Sequence, residues 1–264
     1  MNKLYEQELA WLQAQGIRLI SNTIQFKNAL TNDVFLISTT DNKRFIFKRL
    51  NRQARSDADR KSEYLVQQLG AKQGLTPKVI AHNENYKLQQ YILGDLIPTD
   101  SDDLSDLLAT QLHRIHQLPA LHAPKQRLKI ELQRLKKQLP VRIDGDRFQE
   151  MLNLAIELDA SSSCDLLCHG DLSLNNILQG KDHQLYILDW EYAVIACAAY
   201  DIAFCNCINQ FTKKRSNELI ASYYKKISKP TSYSLDSLQK ECDLYFELFN
   251  YINELWSLCF IENT

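Results

Sequence analysis

Hydrophobic and polar positions change their spacing about one third of the way along the chain. Before Gly94, short apolar runs alternate with turn-forming residues, which predicts strands at about 17–27, 34–39, 44–50, 77–81 and 88–92. Helices fit the same third at 3–14 and at 56–69, the second of them ended by Gly70. The first third is therefore predicted to be a β-sheet accompanied by helices.

After Gly94 the apolar residues recur mainly at helical spacing. A helix beginning near 101–103 carries leucines and an isoleucine on one face, and further helices fit 125–138, 146–159, 212–227 and 235–261. Between them, 177–179 and 185–188 predict two short strands joined by a turn at 180–182. The pattern predicts an α+β protein in two parts, residues 1–93 and residues 94–264.

One polar run in the second part points to phosphoryl transfer. Asp171 and Asn176 lie five residues apart, and the predicted hairpin that follows returns Asp189 to the end where Asn176 lies. Transfer from a nucleotide needs a carboxylate that orients the attacking hydroxyl and oxygen ligands that hold magnesium. We therefore predict Asp171 as the catalytic base and Asn176 and Asp189 as ligands of Mg²⁺, with ATP as the donor. Each residue alone is more often a turn cap, so the prediction depends on the ordered set.

The first part offers residues for the nucleotide phosphates. Lys48, on the third predicted strand, can reach the α and β phosphates if Glu63 of the following helix holds it. The loop at 28–33, with Thr31 and Asn32, would cover the phosphates. No Gly occurs between Gly16 and Gly70. Because Gly-rich loops bind phosphate by close backbone approach, this loop must use polar side chains or fewer amide contacts.

Composition excludes several other classes of protein. The 264 residues carry a net charge of -1, so no basic field recruits nucleic acid, and the basic residues between Lys125 and Lys137 fit the solvent face of a helix. The seven Cys form no Cys-x-x-Cys pair, which favours free core thiols over a zinc site and a reducing cytoplasm as the compartment. The longest apolar run, 192–200, is too short for membrane insertion. The oligomeric state is not predicted.

The motifs together resemble the choline/ethanolamine kinase and bacterial thiamine kinase group, in the aminoglycoside-phosphotransferase-like branch of the protein-kinase fold. The matching segments are 29–32, 45–48, 60–63, 90–94, 112–116, 169–176, 188–193 and 200–203. This resemblance implies a protein-kinase-like two-lobed fold with a small β-rich N-lobe and a larger helical C-lobe. It also implies that backbone groups of Gln90 to Ile92 bind the adenine, and that His116 and His169 brace the catalytic loop.

The acceptor is predicted to be a small molecule, since no long segment for holding a peptide follows Asp189. Choline and thiamine are cations with a primary alcohol, and a site for them should pair aromatic faces with carboxylates. The candidates are Trp190, Glu191 and Tyr192, with Tyr245 and Trp256 on the final helix, whose apolar stripe is more typical of a core helix but could line the pocket at one end. We predict a kinase of choline, ethanolamine or thiamine. The alternatives are an aminoglycoside or other small-molecule O-phosphotransferase, and a non-catalytic pseudokinase that acts as a binding module.

Overall fold

The computed structural model describes residues 4–26, 32–51, 57–99, 101–139, 141–160, 165–227 and 234–260. The helices in this part of the chain are α1 Glu6–Ala14, α2 Asp57–Lys72, α3 Leu104–His116, α4 Leu128–Gln138, α5 Gly145–Asp159, α6 Ala198–Ile208, α7 Lys213–Lys226 and α8 Leu235–Phe260. The strands are β1 Leu19–Phe26, β2 Asp33–Thr39, β3 Arg44–Arg49, β4 Val79–His82, β5 Tyr86–Gln90, β6 Gly94–Leu96, β7 Leu166–Cys168, β8 Ile177–Gly180, β9 Leu185–Ile187 and β10 Val194–Ala196. The mixed α+β class is confirmed, with a β-rich N-terminal part and a helical C-terminal part.

The chain forms two compact units. The first comprises Met1–Leu96 with Ile177–Glu191, and the second comprises Ile97–Asn176 with Tyr192–Thr264. The hairpin of β8 and β9 thus groups with the N-terminal residues, although it follows the helices α3 to α5 in sequence. The predicted division between residues 93 and 94 remains a prediction about domains.

The first unit is built on an antiparallel sheet in the order β1-β2-β3-β5-β4. Alternate side chains of its strands point to one face, where Phe35, Phe47 and Leu88 are fully buried. Trp11 of α1 packs on this cluster, with its ring centroid 6.1 Å from that of Phe47. A second sheet, in the order β6-β8-β9, contains the predicted hairpin.

In the second unit, α6 packs along α8 and α3 packs along α7. The strands β7 and β10 form a two-stranded antiparallel pair, and β7 leads directly into the predicted catalytic loop. Among the helices that the structure describes, none combines the length and the apolar composition needed to cross a bilayer.

One local prediction was wrong, and one helix was missed. Helix α2 continues through Gly70 to Lys72 instead of ending there. A Cβ atom at Gly70 would lie 3.0 Å from Thr76 Cγ2 and 3.3 Å from the Trp190 ring, so this glycine provides room for close packing. The helix α6 was not predicted at all, because an apolar segment with few polar residues lacks the one-sided pattern that marks a surface helix.

Candidate active site

Asp171 and Asn176 lie in direct contact in the loop between β7 and β8. The Asn176 Nδ2 donates to the backbone oxygen of Asp171 at 2.9 Å and to its Oδ2 at 3.1 Å. A short 3-10 turn over Leu174–Asn176 closes the loop and reverses its direction. The five-residue spacing therefore brings the Asn176 amide within hydrogen-bonding distance of the Asp171 carboxylate.

The backbone that carries Asp171 is held by a buried carboxylate. Asp201 of α6 is fully buried and accepts hydrogen bonds from the backbone N–H groups of His169 and Gly170, both at 2.9 Å. Burial by itself raises the pKa of Asp201, but the hydrogen bonds from His116 and His169 outweigh burial and lower this pKa below its ordinary value of 3.8. The carboxylate therefore stays charged and fixes the start of the loop.

Two further side chains complete this support. His116 Nε2 lies 3.1 Å from Asp201 Oδ2, and His116 Nδ1 lies 2.6 Å from the hydroxyl oxygen of Tyr223. Asn209, just after α6, accepts from the N–H of Leu174 at 2.8 Å and donates to the backbone oxygen of Leu172 at 3.1 Å. The roles of Asp201 and Asn209 were not predicted, although an Asp inside an apolar run is a sequence signal for a buried, hydrogen-bonded carboxylate.

The polar groups of this support are satisfied without a bound metal. Among the described residues, His116, Cys168 and Asp201 form one group whose ligand atoms lie close enough to share an ion. Both ring nitrogens of His116 and both carboxylate oxygens of Asp201 already make hydrogen bonds within the protein. The group is thus a satisfied polar network.

Position 170 admits only a glycine. Its φ is +73°, and a Cβ atom there would lie 2.3 Å from the backbone oxygen of Tyr192. Both the left-handed backbone and the close approach require the absence of a side chain. The His-Gly-Asp order is therefore explained by backbone geometry next to the proposed base.

In the first unit, Lys48 makes an ion pair with Asp189. The distance from Lys48 Nζ to Asp189 Oδ1 is 2.9 Å, and the Asp189 side chain is 34% exposed. Burial lowers the pKa of Lys48, but the carboxylates of Asp189 and Glu63 outweigh it and raise this pKa above its ordinary value. Asp189 has a φ of +60°, an uncommon conformation for a residue with a side chain and one that concentrates at functional sites.

The predicted Lys48–Glu63 ion pair is replaced by a different pair. The Glu63 carboxylate hydrogen-bonds to Lys87 Nζ of β5 and lies 3.5 Å from Arg60 Nη1, while Lys48 binds Asp189. Burial raises the pKa of Glu63, but the charges of Lys87 and Lys48 outweigh burial and lower it. Lys48 therefore acts on Glu63 through space. A buried lysine on β5 was not anticipated, because its sequence neighbours alone do not show which helix it faces.

The other predicted nucleotide residues lie in both described and undescribed parts of the chain. Gln90 ends β5, and its N–H donates to the backbone oxygen of Lys78 at 2.9 Å. Ile92 follows in the link to β6, half-buried. Asn32 precedes β2, and its Oδ1 accepts from the N–H of Asn51 at 3.1 Å. Thr31 lies outside the described residues.

The predicted acceptor residues divide by exposure. Trp190 is fully buried and donates its Nε1–H to the backbone oxygen of Ile187. Tyr245 is also fully buried, and its hydroxyl donates to Gln126 Oε1. Glu191 is 8% exposed. Tyr192 and Trp256, both in the second unit, are 48% and 46% exposed. The side chains of Trp190 and Tyr245 serve as core in this structure, so a ligand could contact them only after rearrangement.

Comparison with known proteins identifies the family. The model of the phosphotransferase enzyme family APH matches residues 23–229, which is most of the chain. The chain belongs to the APH phosphotransferase enzyme family. This APH protein is therefore a kinase-like phosphotransferase, and the resemblance noted from its motifs is confirmed.

Solved structures with the same fold include enzymes that act on different acceptors. LicA in complex with AMP has a TM-score of 0.73 and 20% identity, covering 96% of this chain and 88% of its own. The choline kinase LicA from Streptococcus pneumoniae has a TM-score of 0.72 and 20% identity, over 98% and 92%. A macrolide 2'-phosphotransferase type I has a TM-score of 0.68 and 14% identity, over 100% and 96%. No match was found among curated proteins. These likenesses confirm the protein-kinase-like fold of this APH protein.

Proposed function

We propose that this APH protein transfers the γ-phosphoryl group of ATP to the hydroxyl of a small cationic alcohol of the choline, ethanolamine or thiamine type. The observation that carries the proposal is the contact of Asp171 with Asn176 in a loop whose backbone Asp201 and Asn209 hold. A carboxylate and an amide oxygen fixed beside each other are the parts that phosphoryl transfer requires.

In the proposed reaction Asp171 acts as the base. Its carboxylate accepts the proton of the acceptor hydroxyl while the hydroxyl oxygen forms its bond to phosphorus and ADP leaves. The hydrogen bond from Asn176 orients the carboxylate, and the rigid loop keeps it in place. Lys48, kept charged by Asp189 and Glu63, orients the phosphates of the nucleotide. We assign the adenine to backbone groups from Gln90 to Ile92, and the phosphates to Thr31 and Asn32.

The donor set fits a magnesium ion. Asn176 uses its Nδ2 for Asp171, which keeps its amide oxygen available, and Asp189 has a partly exposed carboxylate. Magnesium prefers hard oxygen ligands of these two kinds. We assign Asn176 and Asp189 as the residues that hold it. When bound, the ion would neutralise negative charge on the nucleotide phosphates.

Acidic side chains that could bind a polycationic antibiotic are already paired with basic ones, which favours a small cation as the acceptor. A polycation would need a broad acidic rim, which the sequence offers only between Asp100 and Asp106 and at a few Glu residues of α8. Asp106 is paired with Lys226 at 2.8 Å, and Glu254 is paired with Arg147 at 2.9 Å. Burial raises the pKa of Glu241, and its position is only partly exposed. The half-exposed rings of Tyr192 and Trp256 offer the aromatic faces that a single cation requires.

The test is the rate of ADP release from ATP and magnesium with choline, ethanolamine, thiamine and kanamycin as separate acceptors. The control is Asp171→Asn, which keeps the side-chain shape and removes the base. We expect turnover with one of the three cationic alcohols, and turnover about 10²–10⁴-fold slower with the control. Transfer to kanamycin alone would replace the proposed substrate class by the aminoglycoside one. Nucleotide binding without turnover on any acceptor, or no nucleotide binding at all, would contradict the proposal and favour a binding module.

A further inference from the structure

Arg60 of α2 is a buried guanidinium that no motif of the proposed reaction uses. Its side chain is 6% exposed. The Nη2 atom donates to Asn32 Oδ1 at 3.3 Å and to the backbone oxygen of Asn51 at 3.1 Å. The same Asn32 oxygen accepts from the N–H of Asn51. Arg60 thus joins the residue that precedes β2 to the residue that follows β3 by two positions.

The other side of the guanidinium faces two carboxylates. Arg60 Nη1 lies 3.5 Å from Glu63 Oε2 and 4.0 Å from Glu191 Oε2, and all three side chains are at most 6% exposed. Glu191 lies two positions after Asp189, whose Oδ1 is 2.9 Å from Lys48 Nζ. Because an unpaired buried charge is costly, Arg60 must compensate Glu63 and Glu191 together with Lys87.

Arg60 is one of the positive charges that balance a buried charged cluster. Three cations (Lys48, Arg60, Lys87) accompany three carboxylates (Glu63, Asp189, Glu191) within the first unit. Loss of Arg60 leaves one excess negative charge close to Lys48. That charge would oppose the binding of nucleotide phosphates, because the interaction is little screened in a buried cluster.

We propose that Arg60 is a positioning residue for the nucleotide phosphates. The inference rests on the proposed function. Arg60 joins Asn32, which directly precedes β2, to the buried carboxylates of Glu63 and Glu191. Gly-rich loops hold phosphate through their own backbone, whereas Asn32 is itself held by the Arg60 side chain. The planar guanidinium can contact Asn32 and the carboxylates at once, which a lysine ammonium at the same position cannot.

The test compares Arg60→Met, Arg60→Lys and Leu12→Ala with the wild type. Leu12 is fully buried in the hydrophobic cluster of the same unit, so its variant controls for stability. Equilibrium binding of Mg-ATP is measured by calorimetry, together with the KM for ATP, the KM for the acceptor and kcat. We expect Arg60→Met to weaken Mg-ATP binding about tenfold or more, with a smaller change in acceptor KM. Arg60→Lys should recover thermal stability but little of the affinity.

A double-mutant cycle with Asn32→Ala tests the anchor itself. If Arg60 acts through Asn32, the double variant should bind Mg-ATP nearly as well as Arg60→Met alone, which is a non-additive result. The inference is overturned if Arg60→Met has a lower Tm, as Leu12→Ala has, but binds Mg-ATP like the wild type. If Arg60→Met fails to fold, Arg60→Lys and Asn32→Ala decide in the same way. A wild type that binds no Mg-ATP overturns the proposed function along with this inference, whereas unchanged binding in the variants overturns the inference alone.

Discussion

Replacing Asp201 by Asn tests how strongly the catalytic loop depends on one buried carboxylate. The two oxygens of Asp201 accept from the backbone N–H groups of His169 and Gly170 and from His116 Nε2. An Asn side chain has a single oxygen. Its amide NH₂ would therefore face a backbone N–H, and one buried donor would lose its acceptor.

The magnitude follows from burial and charge. Hydrogen bonds to a charged group contribute about 1.5–3 kcal/mol each, and the Asp201 carboxylate takes part in three of them. We expect Asp201→Asn to lower the free energy of unfolding by about 3–5 kcal/mol, or the Tm by about 6–20 °C for a chain of this size. Calorimetry and the kcat measure the two consequences. The control Asp106→Asn removes an exposed carboxylate paired with Lys226 and should cost about 1 kcal/mol or less.

The pH dependence of the folding stability tests the same role of Asp201. The pKa of Asp201 is lowered in the folded protein, so the unfolded chain binds its proton first as the pH falls. The stabilisation is complete above the ordinary pKa of 3.8 and is lost as the pH falls through the lower folded pKa. The wild type should therefore lose more stability in this acid range than Asp201→Asn. A variant with the Tm, kcat and acid profile of the wild type would refute the assignment of Asp201 as the support of the loop.

Three further changes have expected outcomes. Asp171→Asn should lower kcat about 10²–10⁴-fold and leave the Kd for Mg-ATP nearly unchanged, because a base acts in the transition state; an equal loss of nucleotide binding would argue against this role. Asp189→Ala should weaken ATP binding in the presence of magnesium much more than in its absence, and an equal loss of affinity in both conditions would remove Asp189 from the metal site. Gly170→Ala should destabilise the fold by about 1–3 kcal/mol and reduce kcat, since its Cβ would meet the Tyr192 backbone; wild-type values of both would contradict the close approach.

Elements with one buried and one exposed face were predictable from the sequence. Helix α5 lies at Gly145–Asp159 against a predicted 146–159, and β2 lies at Asp33–Thr39 against a predicted 34–39. Helix α6 escaped prediction because it is apolar on nearly every side, so burial leaves no periodic signal. The three-residue strands β7 and β10 are too short for any alternation to show. Gly70 was misread because a helix-ending glycine and a close-packing glycine have the same local sequence.

The sequence by itself determined which groups of this protein can perform chemistry, and in which order they follow. The contact of Asp171 with Asn176 depends on a five-residue turn, and such a local geometry is encoded by the residues that form it. Only the tertiary structure decided the partners of the buried charges. Glu63 meets Lys87, which lies 24 positions later, because α2 packs beside β5. Packing likewise buries Trp190 against Gly70. Such pairs depend on which faces of separate elements meet, and spacing along the chain carries no record of that.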